Sequence, residues 1–332
     1  MTGSIICFGE LLLRMSAPGN ERIMQSSQFG VHVGGAEANV AVSLSQFKHD
    51  TKMVSALPDN VLGDAIIRDL KSHGIQTEPV LRGQGRVGLY FLETGAVQRP
   101  SRIVYDRTDS TFTTTPAESY DWDSLLDEAD WLHISGITPA TGLNAARAAL
   151  NATSVAKERG VKVSFDGNYR EQLWKSWSGD GPRILAELLD KATLAFINEL
   201  DINLILGTQY TDRSDAEQAA FERFPALAYI ASTQRQQASA NHHMITGRLA
   251  TRTDVTMSVE MDMPNIVDRI GGGDAFAAGI LHGLIEDMPP QRIVDFGIAA
   301  AAIKHSVPGD YNRACIEEVE DMLSQNGLDV RR

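Results

Sequence analysis

Cysteine, long apolar runs and an excess of positive charge are all missing from this sequence. Only two cysteines, Cys7 and Cys315, occur among the 332 residues, so we expect neither a disulfide framework nor a cysteine metal site. No stretch approaches the roughly 18–20 consecutive apolar residues of a membrane-spanning helix. The apolar run at residues 5–8 is too short for a signal peptide and has no basic leader. These absences predict a reduced, cytoplasmic protein that does not enter a membrane.

The charge balance is strongly negative. Lys and Arg number 30 against 43 Asp and Glu, which gives a formal net charge of −13. A charge of this sign opposes binding to nucleic acid or to anionic lipid as a main activity. A small anionic substrate needs only a local cluster of arginines and stays compatible with the composition. We therefore expect a small-molecule ligand, and neither a nucleic acid nor a membrane as partner.

Short apolar runs followed by longer amphipathic stretches recur along the chain. Such runs lie at residues 131–134, 161–165, 194–197 and 229–231, each near a helical pattern. A crossover between parallel strands needs a dozen or more residues, so this alternation predicts a mostly parallel, doubly wound sheet with helices on both faces. No linker or internal repeat divides the chain, and we predict a single α/β domain over residues 1–332.

Two segments interrupt this alternation. Residues 11–33 and 86–115 predict strands and turns without a helix, and the second contains two runs, 87–92 and 102–107, joined around Gly95. Two such excursions can pair into a small separate sheet, which we expect to serve as a lid over a ligand. Because a partner often covers an exposed sheet edge, a homodimer or higher homo-oligomer through this lid is also predicted.

A glycine-rich turn near the C-terminus carries the main functional signal. Gly271, Gly272 and Gly273 precede Asp274 and an Ala-rich run that predicts a helix. Glycines let the backbone approach a ligand closely, and the free N–H groups at a helix start attract phosphate. A carboxylate among those donors can remove the proton from a hydroxyl that attacks the phosphate. The segment therefore predicts phosphoryl transfer with Asp274 as the base, although a structural turn capped by Asp would show the same residues.

Other glycine-rich phosphate motifs fit poorly. A dinucleotide-binding G-x-G-x-x-G follows the first strand of a βαβ unit, whereas the first strand here leads into Gly9 and Glu10. The Walker pattern G-x-x-x-x-G-K-[ST] does not occur. A second glycine pair, Gly34 and Gly35, opens another predicted helix, which carries Asn39. That pair offers backbone donors to a polyhydroxy ligand, and tight helix packing explains it equally well.

Taken together, residues 33–41 and 268–276 resemble the two signatures of the PfkB, or ribokinase-like, family of carbohydrate kinases. The resemblance covers essentially the whole chain, with the signatures in the expected order. It implies a ribokinase-like three-layer α/β/α sandwich with a mostly parallel central sheet and a small β-sheet lid. It also implies transfer of the γ-phosphate of ATP to a sugar hydroxyl with Mg²⁺. Asp274 would be the general base, and the amides of Gly271–Gly273 would form the anion hole.

Within this family the sequence is most similar to the branch that phosphorylates 2-keto-3-deoxygluconate at its terminal hydroxyl. Residues 88–90, 104–107, 133–139, 165–170 and 304–310 carry this similarity. The substrate-binding residues predicted from it and from the glycine pair are Gly34, Gly35, Asn39, Tyr90, Tyr105, Arg107, Arg170 and Asp310. Arginine forks bind carboxylates through two parallel charge-assisted bonds, which suits a sugar acid better than a neutral sugar.

The nucleotide side departs from the family pattern. Many relatives carry a glycine turn after the strand that corresponds to residues 229–231, whereas the predicted loop at 232–243 contains no glycine. Backbone contacts to the nucleotide must then differ, and side chains are predicted to substitute. The predicted nucleotide-binding residues are Asn168, Thr233, Arg235, Ser239, Gly271 and Gly273.

The resemblance also implies a magnesium element. The family's N-x-x-E pattern appears here as Asn198 to Asp201, and we predict that these two residues serve a hydrated Mg²⁺. Arg269 and Ile270 stand where Thr-Thr is more common in the second signature.

Two alternatives stay open on the sequence. One is another sugar kinase of the same family, namely a fructokinase, a ribokinase or a 5-dehydro-2-deoxygluconokinase. The other is a non-catalytic sugar-binding relative, which the glycine-free segment at 232–243 favours. Asp274 and its three-glycine turn weigh against the second alternative.

Overall fold

The structure is a computed structural model that describes residues 3–324. Its strands are β1 (Ser4–Phe8), β2 (Leu12–Ser16), β3 (Gly30–Gly34), β4 (Thr51–Pro58), β5 (Val80–Gly83), β6 (Gly88–Glu93), β7 (Arg102–Asp106), β8 (Ala129–Ser135), β9 (Lys162–Asp166), β10 (Leu194–Phe196), β11 (Tyr229–Ser239), β12 (His242–Ala250) and β13 (Val255–Met263). Its helices are α1 (Ala36–Gln46), α2 (Val61–Ser72), α3 (Thr111–Thr114), α4 (Trp122–Leu125), α5 (Ile137–Ala140), α6 (Leu143–Arg159), α7 (Glu171–Ser176), α8 (Gly181–Leu189), α9 (Glu199–Leu206), α10 (Arg213–Arg223), α11 (Gly272–Ile285), α12 (Pro290–Lys304) and α13 (Ile316–Leu323). None of these helices combines the length and the apolar character needed to cross a lipid bilayer.

Within residues 3–324, nine strands form the central sheet in the order β13-β12-β11-β10-β9-β8-β1-β4-β5. Neighbours from β11 to β5 pair in parallel, and β12 and β13 extend the sheet as antiparallel strands. The predicted mostly parallel sheet is therefore confirmed. The parallel strands all end at one edge, which is where open α/β sheets bind their ligands.

Helices cover both faces of this sheet, as β1 illustrates. Ile5 and Cys7 belong to the apolar core shared with α1, α2, α11 and α12. Ile6 and Phe8 belong to the second core, which α6, α8, α9 and α10 complete. Side chains of successive strand residues point to opposite faces, so a strand buried on both sides is apolar throughout. The three-layer α/β/α sandwich is confirmed.

A second, four-stranded sheet has the order β3-β2-β6-β7. The central pair, β2 and β6, is parallel, and the outer pairs are antiparallel. The two β-rich segments do pair into a separate sheet, as their sequences predict. The prediction of no helix was wrong at Thr111–Thr114, where one helical turn forms because the Ser110 side chain caps the N–H of Thr113. A 3-10 turn also occurs at Ile23–Gln25.

The segment after residue 231 differs from the predicted loop. β11 continues to Ser239 and pairs with β12 as a hairpin, with Thr233 opposite Gly247. The segment is polar, so its sequence does not indicate a strand. The strand is stabilised by hydrogen bonds to β12, and the other edge of β12 pairs with β13. The prediction of a loop over 232–243 was therefore wrong.

Candidate active site

A cleft of about 320 Å³ lies between the ends of the parallel strands and the small sheet. A cleft of this size holds a small polar molecule. Most of the predicted catalytic and substrate-binding residues line it together: Gly35, Asn39, Tyr90, Tyr105, Arg107, Arg170, Gly271, Gly273, Asp274 and Asp310. Asn168, predicted to bind the nucleotide, also lines it.

Two helices begin at this cleft. α1 starts after Gly35, whose φ is 147°, and α11 starts after Gly271, whose φ is 80°. Asp274 is the third residue of α11, in its first turn as predicted. The Asn39 amide donates a hydrogen bond of 2.6 Å to Asp274 Oδ2, which joins the two first turns. The N–H groups of both helix starts therefore bring partial positive charge to one place.

Close packing requires glycine at three positions around this site. A Cβ on Gly271 would lie 2.0 Å from the carbonyl oxygen of Asp310, and one on Gly34 would lie 2.3 Å from Asp310 Oδ2. A Cβ on Gly272 would lie 2.3 Å from the ring of His305. Gly273 differs, because a Cβ there would meet no atom within 4 Å. The backbone at Gly273 is thus open to a ligand, as an anion hole requires.

Two further carboxyl groups lie near Asp274, the buried Glu37 and the half-buried Asp166, and the sequence did not reveal either of them. Burial raises the pKa of Asp274 to about 6, and the bond from Asn39 opposes this rise. Asp166, at the end of β9, has its pKa raised to about 8 by burial and then by the charges of Asp274 and Asp201. Glu37, in the first turn of α1, has its pKa raised to about 7, chiefly by burial. The cleft therefore holds acids that keep or release a proton near neutral pH.

The small sheet is fixed to this site by buried polar contacts. The Tyr90 hydroxyl donates a hydrogen bond of 2.5 Å to Asp310 Oδ2. Arg14, which the sequence analysis also missed, forms an ion pair of 2.7 Å with Asp268 and one of 3.2 Å with Asp310 Oδ1. Because Asp268 precedes the three glycines, these contacts connect β2 and β6 directly to the glycine-rich turn.

The guanidinium of Arg107 is not free to bind a ligand carboxylate with two nitrogens, as its predicted role requires. Its guanidinium is buried and binds Glu10, with Nε 2.7 Å from Glu10 Oε2 and Nη2 in contact with the same oxygen. The Ser110 hydroxyl donates to the other oxygen of Glu10 at 2.5 Å. Only Nη1 of Arg107 is left without a partner. Arg107 can therefore offer one nitrogen to a ligand carboxylate, and not two in parallel.

Tyr105 lies beside Arg107 and is 38% exposed. The guanidinium carbon of Arg107 is 5.8 Å from the ring centroid of Tyr105.

Other buried polar atoms of the cleft also lack a hydrogen bond. Oδ1 of Asn39 and Oδ1 of Asp310 accept none, although Arg14 Nε lies 3.2 Å from Oδ1 of Asp310 as its ion-pair partner. Buried polar atoms are normally satisfied by protein or by ordered water. Unpartnered donors and acceptors in one cleft fit a polyhydroxy ligand that carries a charge.

A second cleft of about 270 Å³ adjoins the first at the ends of β9 and β10 and beside residues 231–233, near the start of β11. It shares Asp166, Asn168, Arg170 and Gly273 with the first cleft and adds Thr233. The side chain of Asn168, whose φ is 35°, donates to Ser135 Oγ at 3.1 Å. Two predicted nucleotide-binding side chains, Asn168 and Thr233, thus lie beside the glycine-rich turn.

Asn198 and Asp201 also line this second cleft, but Asn198 is engaged elsewhere. Its Oδ1 accepts hydrogen bonds from the N–H groups of Leu200 at 2.8 Å and Asp201 at 3.1 Å. Asp201 Oδ2 accepts from the N–H of Asn198 at 3.0 Å, which completes a capping box for α9. The side-chain oxygen of Asn198 already accepts two hydrogen bonds, and the predicted role of Asn198 toward a hydrated Mg²⁺ stays a prediction. Burial raises the pKa of Asp201, and its role stays a prediction.

Arg235 and Ser239 lie apart from the second cleft. Arg235 lines a different cleft of about 430 Å³ between the small sheet and the β11–β12 hairpin, together with Arg269. Ser239 lies near the end of that hairpin, where its Oγ accepts from the N–H of Asn241 at 3.3 Å. A strand advances about 3.3 Å per residue, so the continuation of β11 carries both side chains away from Thr233. The structure does not bring these two predicted residues to the nucleotide side.

Comparison with known proteins gives a consistent family. The model of the pfkB family carbohydrate kinases matches residues 2–317. A 2-dehydro-3-deoxygalactonokinase from Haloferax volcanii is 31% identical over 336 residues, covering 100% of both chains. A 5-dehydro-2-deoxygluconokinase from Geobacillus kaustophilus is 30% identical over 304 residues, covering 90% of this chain and 86% of that one. Different sugar acids therefore occur among the names of similar proteins.

Solved structures agree with this comparison. The crystal structure of 2-dehydro-3-deoxygluconokinase from Thermotoga maritima has a TM-score of 0.92 to this structure and 36% sequence identity. The match covers 97% of this chain and 99% of that chain. The similarity thus extends over both sheets and is not limited to the glycine-rich turn.

The ion network around Arg14 generates a prediction about stability. Replacing Arg14 with Met leaves Asp268 and Asp310 buried without their cation, which should lower the free energy of unfolding by about 3–5 kcal/mol. Urea unfolding followed by circular dichroism measures the loss. Arg183→Met is the matched control, because Arg183 pairs with Glu187 on the surface and should change stability little. Equal stability of the two variants would contradict the role given to Arg14.

Proposed function

Since the chain belongs to the pfkB family of carbohydrate kinases, we propose that it transfers the γ-phosphate of ATP to the terminal hydroxyl of 2-keto-3-deoxygluconate. The product is the 6-phospho sugar acid. One observation carries the proposal: a half-buried carboxylate, Asp274, stands in the first turn of α11 at a cleft that also holds arginine side chains. A base, an anion hole and a carboxylate-binding group are the three elements that this reaction requires.

The chemical step follows from the positions of the side chains. Asp274 accepts the proton of the terminal hydroxyl as that oxygen attacks the γ-phosphate. Asn39 holds the carboxylate in place through its bond to Oδ2 and leaves Oδ1 of Asp274 for the hydroxyl. The backbone at Gly273, open on the ligand side, and the start of α11 stabilise the negative charge on the transferred phosphoryl group.

Magnesium fits the residues of the second cleft. Mg²⁺ is usually held by one or two carboxylates and by substrate phosphates. Asp166 and Asp201 are half-buried carboxyls with raised pKa values, so a nearby dication would stabilise their ionised forms. These two residues would hold the ion, which when bound neutralises charge on the phosphates of ATP.

Arg170 supports an acidic sugar as the acceptor. It lines both clefts, and its Nη1 donates only to the carbonyl oxygen of Tyr169 at 3.0 Å. No carboxylate within residues 3–324 forms an ion pair with it. Together with Nη1 of Arg107 it can bind a substrate carboxylate, which a neutral hexose lacks.

The second candidate substrate is 5-dehydro-2-deoxygluconate, which the name of the Geobacillus relative supports. This compound also carries a carboxylate, so the arginine side chains do not separate it from 2-keto-3-deoxygluconate. Fructose and ribose lack a carboxylate, so they cannot form the charge-assisted bonds to Arg170. A non-catalytic sugar-binding role is opposed by the preserved arrangement of Asn39, Asp274 and the open Gly273 backbone.

The role of Asp274 is tested by removing its charge alone. Asp274→Asn should lower kcat by about 10²–10⁴ because the base is lost, while sugar binding changes little. A coupled assay for ADP release measures kcat, and calorimetric titration with the sugar acid measures binding. Asn keeps the size of the side chain and can still contact Asn39, so the fold should be preserved. Full turnover in this variant would exclude Asp274 as the base.

The raised pKa of Asp274 predicts the pH dependence of the reaction. The base acts only when ionised, so kcat/KM should decline as the pH falls through about 6. A pH profile at saturating ATP and limiting sugar acid measures this limb. The residual activity of Asp274→Asn should lack it. An acid limb at the ordinary pKa of Asp, about 4, would contradict the buried environment described here.

The substrate class is tested with a sugar panel. We expect turnover with 2-keto-3-deoxygluconate, 2-keto-3-deoxygalactonate or 5-dehydro-2-deoxygluconate to exceed that with fructose and ribose. Arg170→Ala should raise KM for the preferred sugar acid about 10- to 100-fold, since each charge-assisted bond contributes roughly 1.5–3 kcal/mol. It should affect neutral sugars far less. Lys175→Ala, which removes an exposed charge on α7, is the control. Equal losses on acids and neutral sugars would refute carboxylate recognition.

A further inference from the structure

The C-terminal ends of α1 and α11 meet away from the cleft. α1 ends at Gln46 and is followed closely by His49, while α11 carries His282 in its last turn and is followed by Glu286. His49 Nε2 lies 2.8 Å from His282 Nδ1. His282 is eight residues beyond Asp274, about 12 Å along the helix. This cluster is therefore separate from the reacting groups.

The spacing of the three side chains suits a metal ion. His49, His282 and Glu286 each offer one ligand atom, and these atoms lie within 4.8 Å of one another. His282 and Glu286 are four residues apart, so they share one face of the helix. Tetrahedral Zn²⁺ with bonds of about 2.0–2.1 Å needs ligand atoms about 3.3 Å apart. The two imidazoles nearly meet this requirement, and the exposed Glu286 side chain can close the remaining distance.

Among the described residues, the polar side-chain atoms of the cluster form no hydrogen bond outside it. The buried ring of His282 packs against Phe47 and Phe296, with centroids 5.3 and 4.7 Å away. Its Nε2 has no hydrogen-bond partner. The carboxylate of Glu286 is exposed and lies near both histidine rings. Packing holds the imidazole of His282 rigidly, and the exposed carboxylate of Glu286 is free to move toward a metal ion.

The electrostatic environment favours a cation. Two helix C-termini converge here, and each carries a partial negative charge of roughly half an electron. His49 Nε2 and His282 Nδ1 face each other at 2.8 Å, so one of them carries the shared proton, which moves to the other nitrogen of its ring when a metal ion takes its place.

We propose that His49, His282 and Glu286 form a binding site for Zn²⁺ or a similar divalent transition metal, with water as the fourth ligand. Two imidazoles and one carboxylate are a ligand set for Zn²⁺, whereas Mg²⁺ takes oxygen ligands. Among residues 3–324 this is the one group of three or more His, Cys, Asp or Glu side chains with this spacing. The bound ion ties together the far ends of the two helices whose first turns hold Asn39 and Asp274.

The test uses the full chain, stripped of metal with a chelator and titrated with Zn²⁺ in a calorimeter while Mg²⁺ is present in excess. The intact protein should bind one Zn²⁺ per chain and should melt at a higher temperature with the metal. Glu286→Gln should weaken binding at least about 10-fold and His49→Gln at least about 100-fold, because each removes a ligand. His242→Gln is the control, since His242 is an exposed histidine that contacts Asp262 on the hairpin.

These variants avoid the buried His282, so the fold should survive. Circular dichroism checks this, and Glu286→Gln, an isosteric change of an exposed side chain, carries the test if His49→Gln is unstable. The proposed metal site is refuted if Zn²⁺ shows no saturable binding. It is also refuted if Glu286→Gln binds Zn²⁺ as tightly as the unmodified chain, or if His242→Gln is the one variant that abolishes Zn²⁺ binding. Because the readout is metal binding and melting temperature, failure here leaves the kinase proposal unaffected.

Discussion

The hydrogen bond between Asn39 and Asp274 fixes the position of the carboxylate on which the candidate site depends. It holds the first turns of α1 and α11 side by side, although 235 residues separate the two partners. Removing a carboxylate from water is costly unless donors and positive charge replace the water. Two helix starts supply both at the same position. α1 follows β3 of the small sheet and α11 follows the antiparallel strand β13, so strands outside the parallel set bring the two helix starts together.

The small sheet is joined to this point by charges and not only by apolar contact. Arg14 and Tyr90 reach Asp268 and Asp310, and Arg107 reaches Glu10 at the end of β1. Apolar contact contributes as well: Leu13 belongs to the main core, with Val33 and Leu89 packed against it, and Leu12, Tyr90 and Leu92 form a separate cluster with Ile270 beside it. The acids that hold the small sheet are Asp268, Asp310 and Glu10. The proposed base, Asp274, is a different carboxylate in the same cleft.

The sequence predicts what is local and misses what is paired over long distances. The glycine-rich turn, the helix after it and Asp274 in its first turn are adjacent in the chain, so their geometry follows from residue type. Glu10 and Arg14 lie in or beside apolar strands, and their partners are 97 and 254 residues away. Nothing in the local pattern distinguishes them from surface charges. Arg107 shows the same limit, because its predicted role assumed a free guanidinium. The hairpin after residue 231 was missed because its strand is held by neighbouring strands rather than by an apolar pattern.

The two helix starts have a consequence for how ligands arrive. They bring partial positive charge to the cleft of a chain whose net charge is −13. An anion therefore meets repulsion from afar, and attraction only within about one Debye length, roughly 8–10 Å at physiological salt. Salt weakens the distant repulsion more than the short contacts inside the cleft. Encounter with anions should for this reason become faster as ionic strength rises, the reverse of enzymes whose whole surface attracts their substrate.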